Sequence, residues 1–185
     1  MSLSLEPESR FRRISAWGLE SGGLRAASIL VVAALSTAFS GVLARDTGLR
    51  IDPAALGATF CALEVGLARG LILAASIGYI ADVSSGQPRG LWTFGTVVAY
   101  GVLRLFVIRV VGARAGTVMI LTALAAGTAY LARWGLELLT GNDVGLWGVR
   151  MMLGVAGTTL LGYPAFVVYG WASDRFRSRE DTLFR

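Results

Sequence analysis

The residues best equipped for chemistry sit in "IADVSSGQPRG", Ile80 to Gly90, where Asp82, Ser84 and Ser85 are near neighbours. A serine beside a carboxylate suggests a nucleophile, but the hydroxyl needs a base to take its proton. The chain has no histidine, so imidazole chemistry is ruled out: Ser-His-Asp triads, His metal ligation and His proton shuttling. A simpler use fits the same residues. Carboxylate and hydroxyl oxygens bond orphan backbone groups at a helix end, a glycine takes a positive φ, and Pro88 fixes a turn, with Gln87 and Arg89 toward water or headgroups. Asp82, Ser85, Gly86, Pro88, Arg89 and Gly90 are therefore expected to form a structural loop with no catalytic residue.

Two further charges invite a functional reading. Glu64 and Arg104 fall inside apolar stretches, and an ionisable group at the centre of a membrane helix costs about 2.5–3.5 kcal/mol on insertion scales. They could meet as an interhelical ion pair, or Glu64 could be protonated. A transport path would need a second deep carboxylate, and the apolar stretches offer none. Cys61, the one cysteine, reads as a small core residue.

The elements that must carry these residues are apolar helices. Hydrophobic residues make up 55% and charged residues 16%, where soluble domains hold about a quarter charged, and the mean hydropathy is +0.64. All 17 basic residues are arginine, and they are scattered between apolar runs or gathered at the termini. A nucleic-acid binder needs a concentrated basic face, so no nucleic acid, metal or cofactor is expected.

Six segments follow. Ala26 to Ala44 is uncharged and close to the ~20 residues that cross the hydrocarbon. Pro53 to Val83 would be about 46 Å as one helix at ~1.5 Å per residue, too long for a single crossing. A break at "LARG", Leu67 to Gly70, divides it into Pro53 to Ala68 and Gly70 to Ala81. Both pieces are short, so they are thinly covered by lipid, re-entrant, or packed inside the bundle. Leu91 to Val111 is fourth. Ala115 to Ala132 is fifth, extending to Leu139 if Arg133 and Glu137 pair at i,i+4 spacing. Trp147 to Trp171 is last, with a kink or break expected at Pro164. Residues 1–23 form a polar, amphipathic lead, 24–172 the transmembrane domain and 173–185 a basic tail. The G-x-x-x-G pairs Gly66/Gly70, Gly112/Gly116 and Gly141/Gly145 lie at segment ends and read as turn glycines, which leaves close packing to the small residues of the last two segments. Cytoplasmic loops carry the excess of arginine. Six spans put eleven on the side of the termini and five on the other, so both termini are expected in the cytoplasm.

The order G-x-x-x-D-x-x-S-G-x-P-x-G, through Gly78, Asp82, Ser85, Gly86, Pro88 and Gly90 ahead of an apolar helix, resembles the MreD family of bacterial rod-shape-determining membrane proteins. The likeness extends loosely to an acid and proline before the second segment, an arginine like Arg150 early in the last, a proline like Pro164 inside it, and a basic tail. The order Asp52-Pro53 departs from the family's usual one, and the amphipathic stretch Phe11 to Gly22 is extra. The resemblance implies an all-α integral membrane bundle of about six transmembrane helices, similar to the substrate-binding subunits of energy-coupling-factor transporters. It further implies a non-enzymatic scaffold of the bacterial inner membrane, in which the corner Asp82, Ser85, Gly86, Pro88, Arg89 and Gly90 is a structural or partner-contact site. Its partners would be the lipid bilayer, an MreC-like protein, MreB, a RodA-type glycosyltransferase and a transpeptidase. The competing expectation is a vitamin-binding subunit of an energy-coupling-factor-type transporter.

Overall fold

The computed structural model describes residues 23–47, 51–85, 90–107, 115–140 and 147–183. Six helices make up this part of the chain: α1 (Gly23–Thr47), α2 (Pro53–Glu64), α3 (Leu67–Ser85), α4 (Leu91–Val107), α5 (Ala115–Leu139) and α6 (Trp147–Leu183). Four contain stretches long and apolar enough to cross a bilayer, Ala26–Leu43, Leu67–Ser85, Ala115–Leu139 and Met151–Ala172, and α4 is a shorter apolar helix. The protein is therefore an all-helical bundle of membrane-protein character.

Its plan is a ring around a core helix. α1 touches α3, α3 touches α4, α4 touches α5, α5 touches α6, and α6 returns to α1, while α2 touches all five. α2 is 12 residues long, about 18 Å at ~1.5 Å per residue, and Pro53 to Ala62 are all buried. Of the three fates open to a helix this short, it takes the last and packs inside the bundle.

The ring helices form because their buried positions recur at helical spacing. On α5 the core stripe is Val118, Leu121, Thr122, Ala125, Ala126, Ala129, Tyr130 and Arg133. On α4 it is Leu91, Gly95, Thr96, Ala99, Tyr100 and Leu103. The opposite faces carry large exposed apolar side chains, among them Leu35, Phe39, Leu105, Ile120 and Leu160. Apolar residues on both sides of a helix are what burial against lipid on one face and protein on the other requires.

Several segment bounds differ from those expected. The chain breaks at Val65 and Gly66 rather than at Leu67 to Gly70, and Val65 ends α2 in an extended conformation. The second piece of the long apolar run is consequently 19 residues, enough to span. Gly70 is a packing glycine of α3, not a turn glycine: the Tyr100 hydroxyl lies where its Cβ would be and donates 2.9 Å to the Leu67 carbonyl. α5 does reach Leu139, and α6 runs as one helix through Pro164 and the tail to Leu183.

Small residues set the spacing between ring helices. A Cβ on Gly78 of α3 would lie 2.6 Å from the Thr93 Cα of α4, and one on Gly162 of α6 would meet Thr122 of α5 at 2.7 Å. In contrast, a Cβ on Gly127 would meet nothing. Gly78→Ala must push two backbones apart and is expected to lower stability by about 1–3 kcal/mol, as overpacking does. Gly127→Ala should raise it by up to about 1 kcal/mol through helix propensity. Unfolding of the two variants in detergent micelles measures the contrast.

Candidate functional site

Three charged residues of the described fold are buried, Asp52, Asp82 and Arg133, and they lie toward the end of the bundle where α1, α3 and α5 end and α2, α4 and α6 begin. Asp52 is fully buried there and Arg133 is 3% exposed. Asp52 precedes Pro53 and caps α2: its backbone is extended, and its Oδ1 accepts a 2.9 Å hydrogen bond from the Ala55 N–H. Proline at the first helical position completes the start, since its missing N–H would have been an orphan anyway. The second carboxylate oxygen, Oδ2, forms an ion pair with Arg133 Nη2. The Asp52 N–H donates 2.9 Å to Thr158 Oγ1 on α6, and the Thr158 hydroxyl donates in turn to the Gly154 carbonyl at 2.6 Å.

Arg133 is held on every side. Its Nε donates 3.0 Å to the Ala129 carbonyl one turn back on α5. The Cζ lies 4.0 Å over the Trp92 ring and 4.5 Å over the Tyr130 ring, distances at which a cation is drawn to the negative face of an aromatic. Gly95 of α4 makes room for the side chain, because a Cβ there would meet the Ala129 oxygen at 3.0 Å and Arg133 Cγ at 3.1 Å.

Asp82 forms the neighbouring centre. It is 3% exposed and reaches from the last turn of α3 to the start of α4. Oδ1 accepts from the Trp92 N–H at 2.8 Å. Oδ2 accepts from the Thr93 N–H at 3.0 Å and from the Thr93 hydroxyl at 2.5 Å. This is N-capping across a corner: the carboxylate of one helix satisfies orphan donors of the next, and its negative charge faces the positive end of the helix dipole. The corner does need an acid, because two N–H groups and a hydroxyl converge on one side chain. Ser85 donates 3.3 Å to the Asp82 carbonyl, and Ser84 donates 2.7 Å to the Ile80 carbonyl. Gly90 takes φ +95°, a conformation that favours glycine. Gly86, Pro88 and Arg89 lie outside the described residues.

Glu64 and Arg104 come to the other end of α2. Glu64 is its last residue and is exposed, so it is not deep in the core. Arg104 of α4 donates 2.8 Å to the Ala62 carbonyl, a cation on the orphan carbonyls of a helix C-terminus. Both ends of the buried helix are thus met by charge, with Asp52 at the start and Arg104 at the finish.

The sequence reading missed the central pair. Spacing alone offers Arg133 a partner in Glu137 on its own helix, yet it crosses the core to Asp52. A signal was present, since Arg133 continues the i, i+3, i+4 series that starts at Val118 and so falls on the buried stripe of α5. Cys61 is buried. Among the described residues no three His, Cys, Asp or Glu side chains converge in a way that could hold a metal.

No protein-family model, curated protein or solved structure matches the chain.

Removing one partner of a buried ion pair leaves a charge without compensation and costs about 3–5 kcal/mol, whereas replacing both by well-fitting uncharged residues can be nearly neutral. Asp52→Asn and Arg133→Met should each destabilise the bundle by about that amount. The double variant keeps an N-capping side chain and should recover most of the loss, which a double-mutant cycle of unfolding free energies in detergent resolves. Asp82→Ala should cost less, about 0.5–2 kcal/mol, as the loss of an N-cap does.

Proposed function

We propose that the chain is a non-enzymatic scaffold of the bacterial cell-elongation machinery, an MreD-like protein of the inner membrane. In this reading six membrane segments form a bundle similar to the substrate-binding subunits of energy-coupling-factor transporters, with both termini in the cytoplasm. The ring holds an MreC-like protein, MreB, a RodA-type glycosyltransferase and its transpeptidase through helix faces and loops.

One observation carries most of the weight. The three charged residues that are buried among the described residues, Asp52, Asp82 and Arg133, are each engaged by the protein's own backbone or side chains. What the molecule turns outward is the apolar surface of the ring helices. Such a distribution supports a molecule that works by being touched: its polar groups set helix positions and its surface meets lipid and other membrane helices. The motif Gly78 to Gly90 supports the same reading, because its acid caps α4 from the end of α3 and so fixes the angle between the two helices.

The test is purification of the tagged full-length chain from its own cells in a gentle detergent, with co-purifying proteins identified by mass spectrometry. An MreC-like protein and peptidoglycan synthases are expected with the wild type, and their yield per tagged chain should fall in Asp82→Ala. An ATPase pair with a coupling subunit, or a bound vitamin-sized molecule whose addition raises the unfolding temperature, would replace the scaffold reading with that of a transporter's binding subunit.

A further inference from the structure

The geometry points to a latch at the start of α2: the segment Ile51–Asp52 opens toward water as a unit, while the rest of α2 and the ring stay in place, and the Asp52–Arg133–Thr158 contacts hold it shut. Three features of the molecule lead there, and none depends on which partners the ring binds.

The first is position. Ile51 and Asp52 are not helical, yet they sit inside the bundle. Ser40, seven residues before the end of α1, donates 3.2 Å to the Ile51 carbonyl, and Arg133 lies six residues before the end of α5. At ~1.5 Å per residue, the residues that hold the segment stand roughly 9–10.5 Å below the ends of their helices. Non-helical backbone at that depth persists only while protein groups satisfy it.

The second is the nature of the holds. Each belongs to a different ring helix: Ser40 on α1, Arg133 on α5, Thr158 on α6. Asp52 is the charged member, and without Arg133 its stable place is in water. The remainder of α2 is fixed by other means. Phe60 stacks on Tyr169 at 5.3 Å and tilts against Phe166 at 5.6 Å, and Arg104 holds the Ala62 carbonyl. The C-terminal half can therefore stay when the first turn lifts.

The third is room to move. Ile51 lines an open apolar groove of about 450 Å³ between α1 and α6, together with Phe39, Leu43, Leu153, Gly157 and Leu160. Close-packed interiors resist displacement because every shift meets another side chain. Here the Ile51 side chain borders free volume, so it can shift without dissolving the core.

Thiol reactivity tests this in the full chain, because a buried cysteine is inert while a hydrated one reacts with a maleimide. The natural Cys61, fully buried in the C-terminal half of α2, reports on the part that should stay. Ile51→Cys in a Cys61→Ser background reports on the part that should move. With Arg133→Met, labelling at position 51 is expected to quicken by roughly tenfold or more, as for a local opening made easier by an unpaired charge, while Cys61 stays protected over the same time. Thr158→Val removes the acceptor for the Asp52 N–H but keeps the ion pair, and should give a smaller rise at position 51 that does not require Arg133→Met to fold. If Cys61 and position 51 become reactive together, α2 is one cooperative unit and there is no latch. If position 51 stays protected in both variants, the contacts do not hold it shut and the inference fails.

Discussion

The Asp52–Arg133 ion pair is the constraint that sets where the core helix begins, and the polar contacts of the ring are arranged around it. A helix of 12 residues cannot cross a bilayer, and its terminal N–H and C=O groups have no water to turn to inside a bundle. Asp52 satisfies the first turn of α2, but only by bringing a full negative charge into the interior. Arg133 offsets that charge, Trp92 and Tyr130 cover the guanidinium, and Gly95 gives its stem a path. Trp92 is positioned by Asp82, which accepts its N–H. Through this one line of contacts the start of α2 is tied to α3, α4 and α5, while Thr158 and Ser40 add α6 and α1. The corner motif and the buried pair are thus two parts of one polar network.

The helices were legible in the amino-acid order because long uncharged runs admit few other structures. Which charges matter was not. Arg133 and Asp52 are 81 positions apart, and nothing local joins them, whereas Glu137 stands four residues from Arg133 at a spacing known to stabilise helices. That local pair is worth about 0.2–0.5 kcal/mol, too little to compete with a buried carboxylate that would otherwise be unpaired. Arg69-Gly70 looked like a break for a related reason. Arg69 is exposed on α3, and Gly70 is small because Tyr100 lies across it, a fact about α4 that sequence neighbours do not carry. At Asp82 the reading had the right chemistry, a carboxylate on orphan backbone groups, but not the beneficiary, which is the next helix.

Filling the ring with α2 bears on what the bundle can be. Its axis is occupied by Ala54, Ala55, Ala58, Phe60, Cys61 and Ala62, all at or below 1% exposure, so the centre is solid protein. Alanines let the ring helices close around α2, and Phe60 fills the space toward α6. A solid axis and an apolar rim suit a body that other membrane helices pack against.

The length of α6 carries the chain from this body into the tail as a single element. It is one helix of 37 residues, about 55 Å at 1.5 Å per residue, and it carries Thr158 within the ring and the charged tail at its far end. The same helix therefore joins the turn where Thr158 meets Asp52 to the backbone at Leu183 without a break. Pro164, between the two, gives up one ladder hydrogen bond and is the compliant point at which such a rod bends first. Ring and tail are thereby carried on one backbone, and Pro164 is the weakest joint between them.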